Sequence, residues 1–76
     1  MTDFESEYKR LEAEFNVERD RLYKKFGVDA MDVAFVIGKE LSGDPELEEI
    51  KRRTGEYGYE WKAAHIRKVL ARAKQF

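Results

Sequence analysis

The sequence predicts an all-α protein, a small bundle of about four helices, and three observations lead there. Large apolar residues recur at spacings of three and four in the first and last thirds of the chain. Helix start and stop residues punctuate the chain at intervals that suit helices of ten residues or more. The one continuous apolar run, Val33-Ala34-Phe35-Val36-Ile37, has no second run to pair with, so it makes no sheet.

The first helix is long. Thr2 followed by Glu5 fits a capping box, in which the hydroxyl takes a backbone N–H and the carboxylate reaches back. This places the start at about Asp3. Phe4, Tyr8, Leu11, Phe15, Leu22 and Phe26 then form a narrow stripe with a period near 3.5, interrupted at Glu18 and Arg19. Gly27 supplies the left-handed residue that closes many helices, and Val28 offers the accompanying apolar contact. A helix from Asp3 to Phe26 measures about 36 Å, more than the roughly 30 Å across a compact chain of this size. The stripe therefore either packs along another helix of the same chain, the preferred reading, or forms a coiled-coil seam. In the second case Phe4, Tyr8, Leu11, Phe15 and Leu22 join two copies as a homodimer.

Asp29 and Asp32 provide a cap and a first-turn acid for a second helix, Ala30 to Leu41, which ends at Ser42-Gly43. Its apolar content makes it the expected central helix. Asp44-Pro45 starts a third, Pro45 to about Arg53, because Asp caps well and Pro at the first position gives up an N–H that has no partner anyway. Only Leu47 and Ile50 are large and apolar on it. After Gly55-Glu56-Tyr57-Gly58, a last helix runs from about Tyr59 to Lys74. It gathers Tyr59, Ala63, Ile66, Val69, Leu70 and Ala73 on one arc, with Phe76 at the edge. Residues 1–76 read as one domain, without repeats or linkers.

The 76 residues include no Cys and a single His, His65. A lone imidazole makes no zinc site, and the acid clusters lack the alternating ligands, central Gly and closing Glu of a calcium loop. The two serines, Ser6 and Ser42, have no arrangement that makes a nucleophile, and Gly55 and Gly58 lack the Lys-Ser or Lys-Thr of a phosphate loop. No catalytic residue, metal ligand or cofactor site is expected. The absence of Cys, of an apolar leader and of a membrane span points to a soluble cytoplasmic protein.

Charge is the most uneven property of the chain. Met1 to Ile50 hold 7 Lys+Arg against 14 Asp+Glu, and Lys51 to Phe76 hold 8 against 2, so a basic module follows an acidic body. On the last helix Trp61, His65, Lys68 and Arg72 form a second stripe about 120° from Ile66. Trp and Arg dominate binding hot spots. The favoured function is accordingly a small accessory or inhibitor module that binds a protein partner through Tyr57, Tyr59, Trp61, His65, Lys68 and Arg72. Against it stands a plain packing role for Trp61 against helix 1 or helix 2.

The alternative is a nucleic-acid-binding regulator that uses Lys51, Arg52, Arg53, Lys62, Arg67, Lys68, Arg72 and Lys74 on phosphates. The order helix, glycine-containing turn, helix matches a helix-turn-helix, but five residues between Arg53 and Tyr59 exceed the usual three or four. Pairing of these cations with the glutamates of helix 1 would remove that reading, and a bundle with no ligand is the third option.

Overall fold

The computed structural model describes residues 3–27, 30–55 and 58–76, with the side chains of residues 30 and 31 left aside, and consists of four helices without strands among the described residues. Helix α1 spans Phe4–Phe26, α2 Ala30–Leu41, α3 Pro45–Thr54 and α4 Tyr59–Ala73.

The local chemistry explains the boundaries. Asp3 is the cap of α1: its Oδ1 accepts from the backbone N–H groups of Glu5 and Ser6 at 3.2 and 3.3 Å, and its Oδ2 accepts from the Ser6 hydroxyl at 2.7 Å. The cap at Asp3 with Phe4 as the first helical residue agrees with the expected start at about Asp3; the Thr2–Glu5 capping box rests on Thr2, which lies outside the described residues. A carboxylate at the N-terminus also complements the helix dipole, which a hydroxyl does not. Gly27 closes α1 at φ 67°, its N–H donating to the Tyr23 carbonyl at 2.7 Å. The roles expected of Val28 and Asp29 fall outside the described residues.

Asp44 caps α3 by accepting from Leu47 N–H at 3.1 Å, with Pro45 at the first position. That helix continues one residue past Arg53, because the Thr54 hydroxyl turns back to the Ile50 carbonyl at 2.8 Å. Helix α4 stops one residue before Lys74. The tail then curls in a turn, Gln75 N–H donating to the Arg72 carbonyl and Phe76 N–H to that of Ala73.

Helix α4 is the centre of the bundle, in contact with α1, α2 and α3. The expectation of a central α2 is corrected: α2 covers one side of α4, with Ile37 fully buried while its sequence neighbours Phe35 and Val36 are 65% and 49% exposed. The main core joins Leu11, Phe15 and Leu22 of α1 to Ile37 of α2 and to Val69, Leu70 and Ala73 of α4. Val33, Ala34, Leu41, Ile66 and Phe76 pack around it. Ala63, Ala64 and Ala73 are buried, small side chains that leave room for neighbouring backbones to lie close.

The stripe of α1 is thus used within the chain. Leu11, Phe15 and Leu22 are buried, Phe4 and Tyr8 half-buried, and Tyr8 meets Tyr59 with ring centroids 6.0 Å apart. Phe26, at the stripe's end, stays largely exposed. A coiled-coil seam through Phe4, Tyr8, Leu11, Phe15 and Leu22 would first require α4 to leave. The excess length of α1 is met by an elongated shape, 38 × 26 × 18 Å. At the interruption of the stripe, Glu18 accepts from Arg21 at 2.6 Å, and Arg21 Nη2 donates to the Ala73 carbonyl at 3.0 Å. Lys25 reaches the Phe76 carbonyl at 3.1 Å. Two cations of α1 therefore reach carbonyls at and just beyond the C-terminal end of α4, where the helix dipole favours positive charge. No helix among the described residues is long and apolar enough to cross a membrane.

Candidate functional site

The second stripe of α4 points toward α2 and α3. Lys68 Nζ lies 3.0 Å from both carboxylate oxygens of Asp44 and 3.2 Å from Glu46. Asp44 thus caps α3 and ties it to α4 with the same carboxylate. The hydrogen bond from Lys68, followed by that from Leu47 N–H, holds the Asp44 carboxyl below its usual range. The same bond raises the Lys68 ammonium above its own. Arg72 grips Glu40 of α2 through Nε at 2.7 Å and Nη2 at 3.3 Å, with its guanidinium 4.7 Å from the Phe76 ring centroid. Lys68 and Arg72 are therefore ties between helices.

Trp61 and His65, one turn apart on α4, stack with ring centroids 4.7 Å apart and an interplanar angle of 13°. Burial alone pushes the His65 imidazole below its ordinary range, which favours the neutral ring. The pair walls a cleft of about 270 Å³ whose other sides are Gly38, Leu41 and Ser42 of α2 and its end, and Leu47, Glu48 and Lys51 of α3. Two features mark this cleft. The Trp61 Nε1–H is buried and has no acceptor among the described residues; a buried donor left in that state typically costs about 1–3 kcal/mol. Gly38 sits mid-helix with an ordinary negative φ, and a Cβ added there would meet nothing within 4 Å. Glycine in such a place costs about 1 kcal/mol relative to alanine, and no contact among the described residues requires it.

Of the six residues expected to form one binding face, Trp61 and His65 share the cleft, while Lys68 and Arg72 hold its neighbourhood together. Tyr59 stands apart, beside Tyr8 of α1 and with Lys62 Nζ 5.1 Å from its ring centroid. Tyr57 lies outside the described residues. Gly38, Leu41 and Leu47, which complete the cleft, escape a reading of α4 alone. The signal in the sequence is Gly38, a helix-weakening residue inside a strongly apolar helix.

The basic module is largely paired. Arg52 meets Glu49 at 2.7 Å, Arg53 meets Glu60 at 2.7 Å, and Arg67 meets Glu7. Only the last of these, among the described ion pairs of the module, reaches α1; the others use acids of α2, α3, α4 and the turn before α3. Lys51 lines the cleft and Lys74 is exposed. The connection between α3 and α4 is four residues, since α3 extends to Thr54, and this falls within helix-turn-helix range. However, of α4 only Tyr59, Arg67 and Ala71 are exposed, and Arg67, the one cation among them, is paired with Glu7, whereas a recognition helix enters a groove with a face free along its length. Among the described residues no group of three or more His, Cys, Asp or Glu side chains is placed to hold a metal. No family model matches this chain, nor does any curated protein or solved structure.

Proposed function

We propose that the chain is a non-enzymatic interaction module that accepts a large apolar side chain of a protein partner in the cleft between α2, α3 and α4. The observation that carries this reading is the pairing of a glycine that no described contact requires with an aromatic wall. Gly38 keeps one side of the cleft open at a cost to α2, and Trp61 stacked on His65 supplies a flat apolar surface across from it. Leu41 and Leu47 give apolar sides, and Ser42, Glu48 and Lys51 form a polar edge. Half of the residues that line the cleft are polar or charged, and such a mixed site suits the large aromatic and amphipathic side chains that anchor interfaces.

The test is selection of peptides from a displayed random library, followed by contact mapping. Trp61 is the only tryptophan, so its emission reports the cleft directly. Selected peptides are expected to share one large apolar residue, to shift the emission of Trp61 and to perturb the amides of Gly38, Ser42 and Leu47. Gly38→Leu, which fills the cleft with a good helix former, is expected to remove binding without lowering stability. Peptides that bind Gly38→Leu as well as the parent chain would overturn the assignment.

A further inference from the structure

The outward face of α2 carries a second, independent signature. Asp32, Phe35, Val36 and Lys39 are all exposed, and at 100° per residue Asp32 and Lys39 fall on the midline of that face with Phe35 and Val36 about 50° to either side. Their spacing of three, one and three reads the same from both ends. When two copies of α2 lie antiparallel about a two-fold axis between Phe35 and Val36, position along the helix is reversed while each residue keeps its side of the midline. Phe35 then lies beside Phe35 of the second copy and Val36 beside Val36, while on the midline Asp32 opposes Lys39 at both ends of the contact. A two-fold interface demands this kind of self-complementarity.

We infer that a second copy of this chain docks on the outward face of α2, in an antiparallel two-fold arrangement centred between Phe35 and Val36. Three further observations support that occupant. Beside Val36, on the side of the midline away from Phe35, a groove of about 180 Å³ is lined by Asp32, Val33, Val36 and Phe76, so Val36 of the second copy, which arrives on that side, meets an apolar surface there. Lys39 Nζ already lies 5.2 Å from the centroid of its own Phe35 ring, which puts the cation beside the apolar contact, where the opposing Asp32 arrives. Net charge is only -1, so two copies approach with little long-range repulsion. A single pair of 12-residue helices buries less than the roughly 1,200 Å² of a standard interface, so association is weak and depends on concentration.

The arrangement is tested by charge reversal. Asp32→Lys alone places lysines opposite lysines, and Lys39→Asp alone places aspartates opposite aspartates, so each variant is expected to lose association at least tenfold in sedimentation equilibrium between about 10 µM and 1 mM. An equimolar mixture restores both Asp–Lys contacts and is expected to associate as a heterodimer at least as well as the parent chain. All four positions are exposed, and far-ultraviolet circular dichroism confirms that each variant keeps its helices. In the parent chain, amide shifts that depend on concentration are expected between Asp32 and Lys39, with smaller ones at Phe76. A parent chain monomeric at 1 mM, a mixture that fails to associate, or concentration-dependent shifts centred on another helix would each overturn the inference.

Discussion

Five consecutive apolar residues in α2 are chemically alike, yet the fold treats them as opposites, and this gives a sharp prediction. Ile37 is 0% exposed, whereas Phe35 and Val36 face outward. Ile37→Ala removes three carbons from a closed core. At about 0.8 kcal/mol per buried CH₂ the transfer loss is roughly 2.4 kcal/mol, and the unfilled cavity brings the total to about 3 kcal/mol, within the 2–5 range of such truncations. A 76-residue domain has about 4–11 kcal/mol in all, so this variant retains only part of its stability. Phe35→Ala, though it removes more atoms, should cost less than about 1 kcal/mol, and Val36→Ala should lie within about 0.5 kcal/mol of zero, helped by the higher helix propensity of alanine. Urea unfolding followed at 222 nm, at about 5 µM so that self-association does not enter, reads these differences directly. With a slope near 1 kcal/mol per M, Ile37→Ala should move the midpoint by about 3 M. Equal losses at the three positions, or a larger loss at Phe35, would refute the orientation of α2 and with it the outward face on which a second copy is placed.

Two more outcomes follow from the ties around α4. Random-sequence duplex DNA at about 50 mM salt should bind weakly, with little further loss at about 200 mM, because Arg52, Arg53, Arg67, Lys68 and Arg72 already face carboxylates; tight binding that collapses at the higher salt would show that these pairs open for phosphate. His65 binds its proton less readily in the fold than in the unfolded chain, so the unfolded state holds more protons below its pKa of about 6.5 and stability should fall as pH drops from about 7.5 toward 5.5. Urea midpoints across that interval, compared with His65→Gln, check the sign: the variant should lose the slope, and an unchanged slope would place its origin elsewhere.

The parts of the fold legible in the sequence are those decided by local chemistry. Asp44-Pro45, Gly27 and Ser42-Gly43 set helix ends through bonds that span at most four residues, and the stripe of α1 defines its inner face without reference to the rest of the chain. The rotation of α2 is legible only from the flanks of its apolar run, where Asp32 and Lys39, seven residues apart, mark the outer side; Ile37 turns inward to join the core cluster of Leu22, Val69 and Leu70. The destination of the cations is not legible. Helix 1 holds five glutamates within reach of a parallel or antiparallel neighbour, yet Lys68 and Arg72 find Asp44, Glu46 and Glu40, because α4 presents that side to α2 and α3. The candidate site divides along the same line. Trp61 and His65 show as neighbours on one helix, while Gly38, Leu41 and Leu47 become their companions only when three helices meet.

The way α3 is held bears on how the cleft works. Leu47 is the one buried side chain of that helix, so its hydrophobic attachment is small compared with that of α1, which contributes Leu11, Phe15 and Leu22 to the core. Its described ties to α4 also include ion pairs, the half-buried Lys68 with Asp44 and the more exposed pairs Lys68 with Glu46 and Arg53 with Glu60, and ion pairs near the surface add little to stability. Segments with few buried contacts open at lower free energy than the core. Helix α3 supplies Leu47, Glu48 and Lys51 to the cleft, whereas Gly38 and Trp61 stand on the two helices that the main core fixes to each other. The cleft therefore has two walls held by the main core and a third, α3, held by fewer buried contacts, so on the proposed function a partner's anchor side chain is expected to shift the amides of Leu47, Glu48 and Lys51 more than those of Ile37 and Leu70.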